Sequence, residues 1–178
     1  MNIREFPRQD QGFFRQGAAL LQECFPQAYS GELAEEQMEL CLEEERIALM
    51  AEENGELLGF VGAMPQYGVT AWELHPLGVK ASRRGEGIGK ALVARLEQEC
   101  AARGCITLYL GTDDEFGQTT LSGTDLFEDT FHKIETIQNL NGHPYEFYQK
   151  QGFQIVGVLP DANGLGKPDI WMAKHISK

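Results

Sequence analysis

The segment from Arg83 to Lys90 has the residue types of an anion-binding turn. It contains the three glycines Gly85, Gly87 and Gly89, and a helical pattern of apolar residues begins at Ile88. Glycines in such a turn let backbone amides approach an anion closely, and the N-terminus of a helix attracts phosphate. The segment therefore predicts a phosphate site, with a tight strand-to-helix connection as the structural alternative.

Two common nucleotide-binding loops do not fit this segment. A Walker A loop requires glycine where Arg84 stands and serine or threonine where Ala91 stands. A dinucleotide fingerprint requires a third glycine, whose place is taken by Lys90 in one register and by Leu92 in the other. The turn therefore indicates a different phosphate-containing ligand.

The predicted strand before the turn carries groups that can accept or hold a proton. Side chains two residues apart on a strand share a face, which puts Glu73 and His75 on the same face as Leu77 and Val79. A carboxylate and an imidazole in line with a phosphate site are candidate acid–base groups. The alternatives are a solvated carboxylate for Glu73 and a structural histidine for His75.

Two later segments carry further candidates. Asn141 stands seven residues before Tyr148, and Tyr148 is followed closely by Gly152. This tyrosine is either a functional phenol or one of several core aromatic residues. Asp113 and Asp114 follow a buried strand, where they form either a binding site for cations or a solvated loop.

Hydrophobic periodicity predicts the elements that position these residues. Strands are expected at 3–6, 46–52, 57–64, 70–80, 106–110, 153–158 and 170–173, and helices at 12–24, 33–42, 88–104 and 144–150. Asn54-Gly55 predicts a two-residue hairpin turn between the second and third strands. The irregular stretch 112–141 is interpreted as a functional insertion with a short helix near 133–140.

The pattern Arg84-x-x-Gly87-x-Gly89 resembles the pyrophosphate-binding motif of the GNAT N-acetyltransferases, and the block from Asn141 to Phe153 resembles their late motif. Further blocks are similar to the aminoglycoside 6'-N-acetyltransferases of the enterococcal chromosomal type. These blocks are Pro65-Gln-Tyr-Gly68, Trp72-Glu-Leu-His-Pro-Leu77, Tyr109-Leu-Gly-Thr-Asp-Asp114, His143-Pro-Tyr-Glu-Phe-Tyr148 and Lys167-Pro-Asp-Ile-Trp-Met-Ala-Lys174. The resemblance covers essentially the whole chain, and it departs at Gly78, where that type has valine, and in the more glycine-rich Gly85-Glu86-Gly87.

The resemblance implies a single α/β (α+β) domain over residues 1–178, with the GNAT fold and a mostly antiparallel central sheet of six to seven strands flanked by helices. It implies acetyl-coenzyme A as cosubstrate. The residues expected to hold it are Leu77, Val79, Arg84, Gly85, Glu86, Gly87, Ile88, Gly89, Lys90, Asn141 and Tyr148.

The resemblance also implies catalytic roles. An amine attacks a thioester only when it is neutral, so Glu73 is expected to remove or hold its proton through water, with His75 beside it. The Leu77 amide would donate to the thioester oxygen, and Tyr148 would protonate the leaving thiolate. Glu73, His75, Asp113 and Asp114 would contact the acceptor, a polycationic amine.

The composition of the chain limits the kinds of ligand and partner that it is expected to bind. A net charge of −12 disfavours nucleic acid and favours cationic ligands, although acidity also simply promotes solubility. The four cysteines and four histidines show no metal-site spacing, so no metal is expected. Without a long apolar run or a signal-peptide pattern, we expect a cytoplasmic protein that does not enter membranes, and the resembled subfamily implies a homodimer.

The sequence leaves two other functions open. The chain could acetylate polyamines or the amines of peptides and proteins with the same cosubstrate, or it could bind coenzyme A without catalysis.

Overall fold

A computed structural model describes residues 1–176 of the chain. Within them it contains seven strands and five α-helices. The strands are β1 (Asn2–Glu5), β2 (Ile47–Glu53), β3 (Glu56–Tyr67), β4 (Ala71–Val79), β5 (Thr107–Asp113), β6 (Gln154–Leu159) and β7 (Asp169–His175). The helices are α1 (Gln11–Cys24), α2 (Glu32–Cys41), α3 (Ile88–Ala102), α4 (Thr130–Glu135) and α5 (Tyr145–Lys150).

The contacts divide the chain into two compact units. The first comprises Met1–Leu108 with Ile176, and the second comprises Tyr109–His175. The expectation of a single domain over residues 1–178 stays a prediction.

The first unit contains a four-stranded antiparallel sheet in the order β1-β2-β3-β4. The predicted hairpin joins β2 to β3, and both of its central residues have positive φ, 52° at Asn54 and 81° at Gly55. These angles are those of a type I′ turn, whose twist matches that of the two strands. The Asn-Gly pair therefore sets the pairing of β2 with β3 next to the turn, up to the register shift between Ala51 and Glu52.

Helices α1 and α3 pack on opposite faces of this sheet, and a glycine on each face permits the close approach. A Cβ added to Gly59 would lie 3.0 Å from Leu92 of α3, while one added to Gly78 would lie 3.1 Å from the Cys24 sulfur of α1. Gly78 thus stands in place of the expected valine because α1 lies directly on it. Leu20 and Leu21 of α1 are fully buried, and each stabilises the fold by about 1.5–3 kcal/mol.

The second unit contains strands in the order β5-β7-β6, with β6 and β7 antiparallel. Between β5 and α5 runs the insertion, and α4 lies within it. The predicted helix at 133–140 is wrong in its bounds, since the helix is Thr130–Glu135. Its predicted second half is extended instead, because Asn139 forms a β-bridge with Thr119.

The predicted fold class is confirmed, with seven strands in residues 1–176, mostly antiparallel, and helices packed against them. No helix among these residues has the length and apolar character to cross a membrane.

Candidate active site

The turn before α3 exposes its backbone. Gly85 and Gly87 have φ of 82° and 83°, and a Cβ added to either would meet nothing within 4 Å. Within residues 1–176 no side chain caps the N-terminus of α3, where the first helical bond runs from the Ala91 amide to the Gly87 carbonyl at 3.0 Å. The preceding amides therefore face open space at the positive end of the helix dipole, which suits a diphosphate.

Two arginines flank this turn in different ways. The Nε of Arg84 donates to the Val79 carbonyl at 3.2 Å, so this residue folds back onto the end of β4. Arg83 instead donates to both carboxylate oxygens of Glu86, at 2.9 and 3.0 Å, and lies 3.4 Å from Glu53. Because Arg83 neutralises Glu86, the carboxylate inside the turn adds little repulsion toward an anion.

Strand β4 alternates between half-exposed and buried residues along its whole length. The half-exposed set includes Glu73, His75, Leu77 and Val79, and the buried set includes Trp72, Leu74 and Pro76. This is the alternation that the sequence predicts. The expectation that all four candidates share one face is wrong, because an extra residue of β4 at His75-Pro76 shifts the register. Glu73 is paired with Met64 of β3, whereas Leu77 is paired with Val61, three residues away on that strand.

Glu73 and His75 each have a hydrogen-bond partner outside β4. The Glu73 Oε2 accepts a hydrogen bond from the Gln66 Nε2 at 2.9 Å. The His75 Nε2 lies 2.9 Å from the hydroxyl of Tyr29, which follows α1. Neither partner is predicted from the sequence, because Gln66 reaches Glu73 across the pairing of β3 with β4, and Tyr29 is 46 positions away from His75.

In the second unit, Asp114 organises the start of the insertion. Its side chain is 0 % exposed, and its carboxylate accepts hydrogen bonds from the Gln118 amide at 2.6 Å and from the amide and hydroxyl of Thr119, both at 2.8 Å. Asp113 beside it is exposed, and its carboxylate accepts a hydrogen bond from Asn163. Of the two aspartates, Asp113 is the one whose carboxylate reaches the surface.

His143 connects this loop to α5. It is only 2 % exposed, and its Nδ1 accepts a hydrogen bond from the Tyr145 amide at 3.2 Å. Its Nε2 therefore carries the proton and donates to the Asp113 carbonyl at 3.0 Å. Burial lowers the pKa of His143 below its ordinary value and so favours the neutral ring. Asn139 exchanges two further hydrogen bonds with the His143 backbone.

Tyr148 lies on the buried side of α5, 9 % exposed. Its ring packs edge-on against Phe147 and Phe153, with centroids 5.1 and 5.8 Å away. Burial raises the pKa of this phenol, so that it stays protonated at neutral pH. Asn141 is exposed ahead of α5, and its carbonyl accepts a hydrogen bond from the Gln118 side chain at 3.1 Å.

Residues 14–119 match the sequence model of the acetyltransferase (GNAT) family, which is more than half of the chain. The chain belongs to this family. A curated relative, acetyltransferase ECA0875 of Pectobacterium atrosepticum, is 44 % identical over 62 residues, which are 35 % of this chain and 43 % of that protein. The chain thus matches less than half the length of that relative.

Three solved structures are similar over all of this GNAT chain. An aminoglycoside 6'-N-acetyltransferase complexed with coenzyme A is 55 % identical, with a TM-score of 0.98 over 98 % of its chain. The aminoglycoside 6'-N-acetyltransferase from Enterococcus faecium is 54 % identical, with a TM-score of 0.94 over 98 % of its chain. Aminoglycoside 6'-acetyltransferase type Ii is 46 % identical, with a TM-score of 0.80 over 99 % of its chain.

Each unit of the GNAT chain brings part of the predicted site together. Glu73, His75, Leu77 and Val79 lead into the turn at 84–90 in the first unit, and Asp113, Asn141 and Tyr148 lie around the insertion in the second. Within residues 1–176 no group of three or more His, Cys, Asp or Glu side chains could hold a metal ion. The chemical roles of these residues stay predictions.

Proposed function

We propose that this chain transfers the acetyl group of acetyl-coenzyme A to the 6'-amine of aminoglycoside antibiotics. The observation that carries the proposal is the likeness, over nearly their whole length, to three structures whose names give that activity. Family membership, which rests on residues 14–119, also supports the reaction class.

The turn at 84–90 holds the diphosphate of the coenzyme. Its positive-φ glycines and the uncapped end of α3 support this, since they leave backbone amides open to an anion. Arg84 and Lys90 add positive charge, while Val79 and Asn141 hold the pantetheine arm. When bound, the coenzyme supplies an activated acetyl thioester.

Glu73 prepares the amine for attack. An alkyl amine is mostly protonated at neutral pH, and Glu73 accepts its proton through water with His75 alongside. As the amine nitrogen bonds to the acetyl carbon, the carbon–sulfur bond breaks. The Leu77 amide donates a hydrogen bond to the carbonyl oxygen, where negative charge grows.

Tyr148 completes the proton balance. Its phenol gives a proton to the departing sulfur, and the second proton, which the nitrogen loses on becoming an amide, restores the phenol. The first proton, which the ammonium lost before attack, remains with Glu73 until it passes to solvent. Burial raises the pKa of Tyr148, so the phenol still holds its proton when the carbon–sulfur bond breaks.

The acceptor is held by acidic groups. Aminoglycosides carry several ammonium groups, and a chain with a net charge of −12 raises their local concentration. Asp113 contacts the acceptor with its exposed carboxylate. Asp114 contributes through the loop that it folds, because its own carboxylate is occupied by Gln118 and Thr119.

The chain acts as a homodimer in the cytoplasm. Exposed apolar residues on the β6–β7 hairpin, Val156, Leu159 and Trp171, support a protein contact on that surface. The four cysteines are free thiols, as in proteins of reducing compartments.

An acceptor screen tests the proposal. The purified chain is incubated with acetyl-coenzyme A and one of three acceptors, namely a kanamycin-type aminoglycoside, a polyamine or a peptide, while free thiol is detected. We expect kcat/KM for the aminoglycoside to exceed the others by at least about a hundred-fold, in keeping with the discrimination that dedicated polar contacts give. Mass spectrometry with fragmentation should place one acetyl group on the 6'-amine.

Three results would count against this function in different ways. Comparable turnover of peptides or polyamines would remove the antibiotic assignment but keep the reaction. Coenzyme binding without turnover of any amine would indicate a binding module. Acetylation at another amine of the aminoglycoside would correct the position alone.

A further inference from the structure

Gln66 lies beside the carboxylate on which the proposed reaction depends. Its side-chain amide donates to the Glu73 Oε2 at 2.9 Å, and Glu73 Oε1 has no hydrogen-bond donor among residues 1–176. Gln66 is itself exposed, whereas Glu73 is half-buried. One carboxylate oxygen is therefore fixed and the other is left for a ligand.

The backbone around Glu73 deviates from a regular ladder on both sides. Between the pairs Pro65–Trp72 and Tyr67–Ala71, β3 advances by two residues and β4 by one, so Gln66 is the extra residue of a β-bulge. Between Val61–Leu77 and Ala63–Leu74 the extra residue is on β4, in the His75-Pro76 segment. Bulges of this kind redirect side chains and are frequent beside active sites.

We propose that Gln66 is a positioning residue that holds the Glu73 carboxylate in the orientation needed to take the amine proton. This inference rests on the proposed function, since it assigns Glu73 that task. Without the amide, the Glu73 side chain samples several rotamers, and a proton acceptor loses efficiency once it is out of line. The loss falls mainly on kcat, because orientation matters most in the transition state.

The decisive variant is Gln66→Met, which keeps the length of the side chain and removes the donor. We expect kcat to fall about ten-fold, the lower end for a hydrogen bond to a charged group, with KM changed less than two-fold. Because Gln66 is exposed, the melting temperature should stay the same. Gln98→Met, an exposed position on α3, makes the same chemical change away from the site and should leave kcat, KM and melting temperature unchanged.

A double-mutant cycle separates positioning through Glu73 from any other effect of Gln66. In a Glu73→Gln background, Gln66→Met should cause no further loss of the residual kcat, because the carboxylate that Gln66 orients is absent. A ten-fold further loss in that background would overturn the proposal. So would a kcat for Gln66→Met equal to that of Gln98→Met.

Comparing acceptors in these assays shows whether the proposed function or the proposed role of Gln66 has failed. If the wild-type chain prefers a polyamine or a peptide, the antibiotic assignment fails, and the same variants are measured with that amine. If no amine is turned over, both proposals fail together. An aminoglycoside turned over equally well by wild type and Gln66→Met removes only the role of Gln66.

Discussion

Tyr148 and Tyr145 lie on the same short helix and both are buried, and in both cases burial raises the pKa of the phenol. The proposed reaction uses only Tyr148, so the two tyrosines offer a matched comparison. If loss of any buried phenol impaired the enzyme, phenylalanine substitutions at both positions would lower kcat. If Tyr148 alone is the general acid, only the substitution of Tyr148 would lower it.

At the residue scale we therefore predict that Tyr148→Phe lowers kcat by roughly ten- to a hundred-fold. General acids contribute about 10²–10⁴-fold, and a thiolate needs less help than most leaving groups because it is a weak base. Steady-state kinetics with saturating acetyl-coenzyme A measure the effect. Calorimetry should find that coenzyme affinity changes less than kcat, because the substitution keeps the ring and removes only the hydroxyl.

Tyr145→Phe is the control for this experiment, and it should retain kcat within a factor of two. Equal kcat values for wild type and Tyr148→Phe would exclude the phenol as the proton donor. The sulfur would then leave as the thiolate and take its proton from solvent.

At the scale of elements, the sequence was most informative where one local rule decides the structure. Asn54-Gly55 predicts the hairpin because few residue pairs tolerate two positive φ angles. The apolar repeat at Ile88, Leu92 and Leu96 predicts α3 because all three face the sheet, and all three are buried. The alternation of buried and half-exposed residues along β4 follows the predicted strand period, but the bulge at His75-Pro76, which no local rule predicts, breaks the single face expected for Glu73 and Leu77.

Contacts between residues far apart in the sequence could not be predicted from such local rules. The partners Tyr29 and His75 are separated by 46 positions, and His143 and Asp113 by 30. The predicted bounds of α4 were wrong because Asn139 forms a β-bridge with Thr119, and this tertiary contact overrides local helix propensity. A buried histidine such as His143 leaves no pattern in the sequence that separates it from an exposed one.

The spacing of β3 and β4 depends on Gly62. A Cβ added there would lie 2.6 Å from the His75 carbonyl oxygen, which belongs to the bulge of β4. We predict that Gly62→Ala lowers the free energy of unfolding by about 1–3 kcal/mol, because the strands must separate. Urea denaturation followed by circular dichroism measures the change.

Gly157→Ala in β6 is the control, since an added Cβ would meet nothing within 4 Å. Its free energy of unfolding should stay within about 0.5 kcal/mol of wild type. If Gly62→Ala is equally stable, the strands have room that the structure does not indicate.

His143 makes the link from β5 to α5 sensitive to pH. Because burial lowers its pKa in the folded chain, the unfolded chain binds more protons below pH 6.5, and stability falls as the pH drops through that range. Asp113 and Asp114 face the ring and reduce this effect without cancelling it. We predict that His143→Gln costs about 1–3 kcal/mol at pH 7.5, where the lost bonds leave buried groups unpaired, and flattens the pH dependence between 7 and 5.

Thermal melts across that pH range measure both quantities. His132→Gln, at an exposed position on α4, is the matched control and should keep the wild-type slope. If the melting temperature of His143→Gln falls with pH as steeply as that of wild type, groups other than His143 cause the acid sensitivity.

At the scale of the whole molecule, the charge of the protein should act differently on the two proposed substrates, the aminoglycoside and acetyl-coenzyme A. The chain carries −12 in total, while the turn at 84–90 combines the positive end of α3 with Arg84 and Lys90. A polycation is attracted by the field of the whole protein, and a diphosphate is held by short-range contacts. The two substrates should therefore differ in their response to salt.

We predict that raising ionic strength from 0.05 to 0.5 M increases KM for an aminoglycoside roughly ten-fold, because the screening length shrinks from more than 10 Å to a few ångströms. KM for acetyl-coenzyme A should change much less. The increase should grow with the number of ammonium groups when aminoglycosides of different charge are compared at fixed coenzyme concentration. If acceptors of different charge show the same salt dependence, the attraction comes from a few direct contacts such as Asp113, and the net charge serves solubility alone.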